Sequence, residues 1–181
     1  MNIHPDVEKI LVKEEEIRER CRELGKEIAD YYKKDVPIAV GLLKGSVPFL
    51  AQIVKYIPID IEMDFMDVSS YSGVESTEVK IIKDLECPIK GRSILLVEDI
   101  IDTGKTLKVV KELLYSKGAK DVKIVSLLDK PKGREVDINA DWVGFVIPDE
   151  FVIGYGLDYN QKYRNLPYVG VIKKDAIKGD M

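Results

Sequence analysis

Residues 95–107, LLVEDIIDTGKTL, decide how this chain folds. An apolar run from Ile94 to Val97 ends in two adjacent carboxylates, Glu98 and Asp99. Ile100 and Ile101 follow, then Asp102-Thr103-Gly104-Lys105-Thr106, and beyond them Leu107, Val110 and Leu114 recur at helical spacing. A buried strand that passes through a polar, glycine-containing loop into a helix N-terminus makes an anion site. Backbone N–H groups point outward there, and the helix dipole favours negative charge. Three carboxylates in such a loop repel a phosphate. They suit a ligand with a phosphate at one end and hydroxyls and metal ions at the other, and a phosphorylated sugar has that form. Open α/β sheets bind ligands at the carboxyl ends of their strands, where Glu98, Asp99 and Asp102 fall. A capped turn, with Asp102 or Thr103 as N-cap, accounts for one of these residues but not for all three. A nucleotide P-loop shares Gly104-Lys105-Thr106 but needs a glycine five residues before Gly104, and Asp99 stands there.

At 181 residues the chain is expected to form one domain with a substantial core. Its net charge of −4 argues against a nucleic-acid partner, which calls for a basic face. Cys21 and Cys87 stand alone with no CxxC pair, which suits a reducing compartment. The N-terminal segment has no apolar core and is acidic by residue 16, so no secretory signal is expected, and no apolar run reaches the length of a membrane span. These features predict a cytoplasmic protein without a membrane partner. His4 is the only histidine. Histidine-based nucleophile or metal schemes therefore lack their residue, and proton transfer falls to carboxylates, lysines or tyrosines.

Residues 7 to 12 read as a strand, and Glu14 to about Tyr32 as an amphipathic helix with Ile17, Cys21, Leu24, Ile28 and Tyr31 on its apolar face. Pro37 to Leu43 is a continuous apolar strand of the buried parallel kind. It stops at Lys44-Gly45-Ser46, and a helical stretch runs on to Tyr56. Ile57 to Val68 alternates and predicts a strand with one polar face. Residues 69–78, SSYSGVESTE, form a polar loop, and Val79 to Leu85 returns as a strand. Strand 92–97, the signature loop and a helix over 104–117 follow, with Gly118 as the glycine that ends the helix. Further strands are expected at Val122–Leu128, Trp142–Ile147 and Tyr168–Ile172. Strands alternating with helices imply an α/β protein with a central parallel sheet flanked by helices and right-handed crossovers.

Residues 95–107 resemble the phosphoribosyl-pyrophosphate signature of the type I phosphoribosyltransferases. Leu43-Lys44-Gly45-Ser46, Ser70-Tyr71, Leu128-Asp129-Lys130-Pro131 and Val152 to Tyr159 are similar, in order and spacing, to motifs of the hypoxanthine-guanine phosphoribosyltransferases, bacterial members included. The resemblance covers nearly the whole chain. It implies that a parallel-sheet core (about 36–150) carries a small hood built from the N-terminal segment and about 151–181, with a mobile loop at about 69–78. It implies transfer of the phosphoribosyl group from phosphoribosyl pyrophosphate to hypoxanthine or guanine, giving IMP or GMP and pyrophosphate, with Mg²⁺ as cofactor and a homodimer or homotetramer as the assembly.

The resemblance also assigns roles. Thr103, Gly104, Lys105 and Thr106, with Asp102, would hold the 5-phosphate, and whether the Lys105 ammonium touches it stays open. Glu98 and Asp99 would receive the ribose hydroxyls and lie near magnesium. Asp102 would be the general base near N7 of the purine. Lys44, Gly45, Ser46, Ser70, Tyr71 and Arg164 would bind pyrophosphate, and a cis peptide between Leu43 and Lys44 is suggested. Lys130 would donate to the oxygen on purine C6, Phe151 would stack on the base, and the Val152 backbone would meet its edge. Asp158 would hold a second magnesium. Relatives of the same fold that use adenine or orotate differ in the Leu43–Ser46 and Lys130 motifs or in the flexible loop. An RNA-binding regulator of this fold would need a basic face.

Overall fold

The computed structural model describes residues 3–70 and 79–178. Its main sheet has six strands: β2 (Ile38–Leu42), β3 (Glu62–Ser70), β4 (Val79–Lys83), β5 (Ser93–Ile101), β6 (Asp121–Asp129) and β7 (Trp142–Val146). Their order is β4-β3-β2-β5-β6-β7. All neighbours are parallel except the β3–β4 hairpin. A second, antiparallel sheet of three strands takes both ends of the chain: β1 (Val7–Val12), β8 (Val152–Ile153) and β9 (Val169–Ile172), with β9 in the middle.

The central strands carry apolar side chains to both faces because helices cover both. On one face, α1 (Glu14–Tyr32) and α2 (Val47–Ile53) pack Ile17, Leu24, Ile28, Phe49 and Leu50 against Leu95, Val97 and Leu127. This core also takes Val152, Val169 and Val171, so the small sheet is fused to it. On the other face, α3 (Lys105–Ser116) lays Leu107, Val110 and Leu114 on Ile94, Leu96 and Ile124. Each such side chain contributes about 1.5–3 kcal/mol on burial. A last short helix, α4 (Lys174–Lys178), follows β9.

The structure departs from the sequence reading at several places. The buried face of α1 ends on Tyr32, not Tyr31. Tyr32 is 3 % exposed and its hydroxyl donates to the Ile94 carbonyl at 3.3 Å, whereas Tyr31 is 55 % exposed and meets Trp142 edge-on. The strand expected from Ile57 begins at Glu62, because residues 54–56 form a tight turn and Ile57, Ile59 and Ile61 pack on the core as a linking segment. On β3, Met63 faces outward and Asp64 is buried, so the supposedly polar face carries the inward carboxylate. Strand β5 does not stop at Val97 but runs through both carboxylates to Ile101. Gly118 does close α3, with a left-handed φ of 91° and its N–H bonded to the Tyr115 carbonyl at 2.9 Å. The expected loop at 69–78 falls outside the described residues from Tyr71 to Glu78.

Candidate active site

The carboxyl ends of β2, β5 and β6 and the start of the hood meet at one place. Strand β5 delivers Glu98 and Asp99, and Asp102 to Gly104 turn the chain into α3. Gly104 is the N-cap, with a φ of 81° that favours glycine. The N-cap itself has no side chain to cap the helix and the Asp102 carboxylate is not the cap, while the Thr103 hydroxyl accepts a long hydrogen bond from the Lys105 N–H at 3.4 Å. The amides that follow Lys105 in the first turn of α3 have no side-chain cap and face outward to an anion. The Lys105 ammonium is turned aside into an ion pair with Glu135.

Glu98 and Asp99 keep only partial exposure. Packing around Glu98, and then the neighbouring charge of Asp99, push its carboxyl well above the usual range. Burial raises Asp99 as well, against hydrogen bonds from Glu98 and the Ile100 amide and against the charge of Arg164. Two desolvated carboxyls side by side suit a divalent cation. Mg²⁺ binds through one or two carboxylates and completes its shell with water and substrate oxygens. No ready-made group of three metal-ligating side chains occurs among the described residues, and Asp158 is held by Arg164 (2.8 Å) and by the Gln161 N–H (2.9 Å).

Two cavities of about 260 Å³ each open here. One is bounded by Leu42, Val68, Glu98 and the Asp102–Gly104 turn. The other is bounded by Lys130, Phe151, Val152, Leu157 and Asp158. Asp99, Ile100 and Asp102 line both. Phe151 is 50 % exposed and meets Tyr159 edge-on at 5.8 Å. Lys130 is buried, with Nζ 3.5 Å from Asp102 Oδ2.

Beside the first cavity the Leu43–Lys44 peptide is cis. Lys44 is exposed and Gly45 buried, while the Ser46 hydroxyl is fully buried near Gly41 without a hydrogen-bond partner, which leaves the backbone as the ligand-facing part of this loop. Gly45 lies so close to Asp99 on one side, and its carbonyl so close to Gly156 on the other, that a methyl at either glycine would overlap them. Arg164 fixes the outer end of this stack by donating to the Gly156 carbonyl at 2.7 Å. Ser70 ends β3, and Tyr71 lies outside the described residues.

Residues 9–160 match the model of the phosphoribosyl transferase domain. The chain is 57 % identical over 170 residues to the hypoxanthine-guanine phosphoribosyltransferase of Bacillus subtilis, covering 93 % of this chain and 94 % of that one. It superposes with a TM-score of 0.93 on a Staphylococcus aureus hypoxanthine phosphoribosyltransferase that is 47 % identical, over 97 % of this chain and 98 % of the other. The chain belongs to the hypoxanthine-guanine phosphoribosyltransferases. The Trypanosoma cruzi hypoxanthine phosphoribosyltransferase in complex with the product IMP has a TM-score of 0.92 at 38 % identity, covering 97 % of this chain and 99 % of that one.

The α/β architecture with its small hood agrees with these relatives. Ile100 and Leu157, to which the sequence motifs assign no role, line the second cavity. An isoleucine standing beyond two carboxylates at a strand end was the available signal for Ile100.

Proposed function

We infer from these placements how the chain carries out its purine-salvage reaction, the transfer of the 5-phosphoribosyl group from phosphoribosyl pyrophosphate to hypoxanthine or guanine, which yields IMP or GMP and pyrophosphate. The observation that carries the reading is the pair of cavities with Asp99, Ile100 and Asp102 as their common wall. A sugar phosphate in one and a flat base in the other meet at that wall, which is where a bond between base and sugar forms.

The uncapped start of α3 holds the 5-phosphate through the amides and hydroxyls of Thr103 to Thr106. Glu98 and Asp99 accept the ribose hydroxyls. The Lys44–Ser46 backbone, Ser70, Tyr71 and Arg164 bind pyrophosphate. The base stacks on Phe151, meets the Val152 backbone and receives a hydrogen bond on its C6 oxygen from Lys130. Asp102 takes the proton from the base. Its side chain is 49 % exposed, so the incoming purine completes its desolvation. Glu98, Asp99 and Asp158 would hold Mg²⁺, which when bound neutralises the departing pyrophosphate. IMP in the Trypanosoma cruzi relative supports the product assignment.

We place the enzyme in the cytoplasm. Both cysteines are free, and among the described residues no helix is long and apolar enough to cross a membrane. We propose a homodimer or homotetramer, with exposed apolar residues such as Val47 and Met63 as contact candidates. Sedimentation velocity tests that assembly. The decisive experiment mixes the protein with Mg²⁺, phosphoribosyl pyrophosphate and, in turn, hypoxanthine, guanine, xanthine, adenine and uracil. Nucleotide should form with the first two. Nucleotide from adenine or uracil alone would overturn the base assignment.

A further inference from the structure

Behind the signature turn runs a segment of which the reaction as described uses only Lys130. Residues 130–135 satisfy three successive carbonyls of that turn. The Lys130 N–H donates to the Ile101 carbonyl at 2.9 Å and the Glu135 N–H to the Thr103 carbonyl at 3.0 Å. Between them, Arg134 donates through Nη1 to the Asp102 carbonyl and through Nη2 to the Asp129 carboxylate. Arg134 and Asp129 are largely buried, with side chains 14 % and 16 % exposed. Gly133 abuts the carboxylate itself, where a methyl on its Cα would overlap Asp102 Oδ1.

An aspartate at the lip of a cavity, half exposed, has little around its side chain to choose a direction. Lys130 Nζ, at 3.5 Å, is a loose partner. The backbone of Asp102, by contrast, is pinned. We propose that Arg134 is a positioning residue and Gly133 a clearance residue for Asp102. The guanidinium fixes the Asp102 carbonyl and so the direction in which its Cα–Cβ bond leaves the chain. The missing side chain at Gly133 leaves the space that the carboxylate occupies. The fork matters because two acceptors on different strand ends are reached by two separate nitrogens, which a lysine does not have. Asp129 ties this device to the end of β6, next to Lys130. The residue that receives the base proton and the residue that reads the C6 oxygen are thus registered by one side chain. The inference rests on the reading of Asp102 as proton acceptor, and its test separates the two.

The test is a kinetic cycle over wild type, Arg134→Met, Asp102→Asn and the double variant, with Arg134→Lys as the conservative replacement. Misplacing a reacting group by an ångström costs roughly 100-fold in rate. Arg134→Met should therefore lower kcat roughly 10- to 100-fold, with KM for phosphoribosyl pyrophosphate little changed, and Arg134→Lys should recover part of the loss. In the Asp102→Asn background, Arg134→Met should cost little further, because groups that act through one another are not additive. The same fractional loss in both backgrounds would overturn the inference and leave the Asp102 reading intact. Near-wild-type turnover in Asp102→Asn alone would overturn both. If Arg134→Met does not fold, Gly133→Ala makes the same point without removing a hydrogen bond. It should lower kcat while thermal unfolding stays near that of wild type, and unchanged kcat would refute the proposal.

Discussion

Lys130 Nζ stands 3.5 Å from Asp102 Oδ2, and the lysine is only 7 % exposed. A buried ammonium beside one carboxylate at the mouth of a base-sized cavity has donors left for a ligand. Replacing Lys130 with Gln is expected to reduce kcat/KM for hypoxanthine and guanine by one to two decades, since a charged hydrogen bond contributes roughly 1.5–3 kcal/mol. Binding of phosphoribosyl pyrophosphate should barely move. Calorimetric titration of both substrates decides the matter: equal losses for the two would make Lys130 a structural residue.

Asp102→Asn keeps the size of the side chain and removes its capacity to take a proton. Turnover should fall by roughly 10²–10⁴, with the affinity for phosphoribosyl pyrophosphate preserved, because the uncapped start of α3 does not depend on the carboxylate. Single-turnover kinetics with saturating substrates isolates the chemical step. A wild-type rate in that step would remove Asp102 from the mechanism.

Gly156 adopts a φ of 101° and touches the Gly45 carbonyl. An alanine there meets two penalties at once, a backbone region poor for L-residues and a clash with the neighbouring loop. The variant should lose about 1–3 kcal/mol of stability and bind phosphoribosyl pyrophosphate more weakly, as the hood is pushed off the Lys44–Ser46 loop. Urea unfolding and KM measured side by side report both. If neither shifts, the contact between the two loops has no functional weight.

Asp64 makes a further prediction, about acid. Burial alone would raise its carboxyl. The Cys87 thiol (3.0 Å) and the amides of Cys87 (3.0 Å), Phe65 (2.7 Å) and Glu86 (2.8 Å) outweigh burial and hold it at about 2. The Cys87 thiol is itself pushed up to about 11 by burial and then by Asp64, so it stays a donor. A carboxyl depressed in the folded state stabilises the fold above its unfolded value near 4, and this stabilisation is lost as pH falls toward 2. At about 1.4 kcal/mol per unit, the contribution is roughly 2 kcal/mol at neutral pH. Urea titrations between pH 2 and 5 should show a shallower acid decline in Asp64→Asn than in wild type. Parallel slopes would mean that this carboxylate is not the source of acid sensitivity.

These residues also show where sequence reading succeeds and where it stops. The strand, turn and helix over 95–107 are contiguous, so their apolar spacing and the Gly104 turn were readable one residue after another. Asp64 was not, because its burial depends on amides more than twenty residues away, supplied when β4 folds back on β3. Tyr31 and Tyr32 fit the helical period almost equally, and the choice falls to tertiary contacts with Ile94 and Trp142. The turn after β6 brings Arg134 to the Asp102 carbonyl, which lies thirty-two positions back in the sequence.

The pairing of β1 with β9 fixes an order of events during synthesis. Residues 7–12 leave the ribosome well before their hydrogen-bonding partners at 169–172. At 5–20 residues per second the gap is roughly 8–30 s. The six-stranded sheet, complete by Val146, can form in that interval while the first strand still shows an unpaired edge. Phe151 and Leu157 line the second cavity from either side of β8, which pairs with β9. A nascent chain in which β9 has yet to emerge would thus hold a finished strand, turn and helix over 93–116 beside an unpaired, sticky β1.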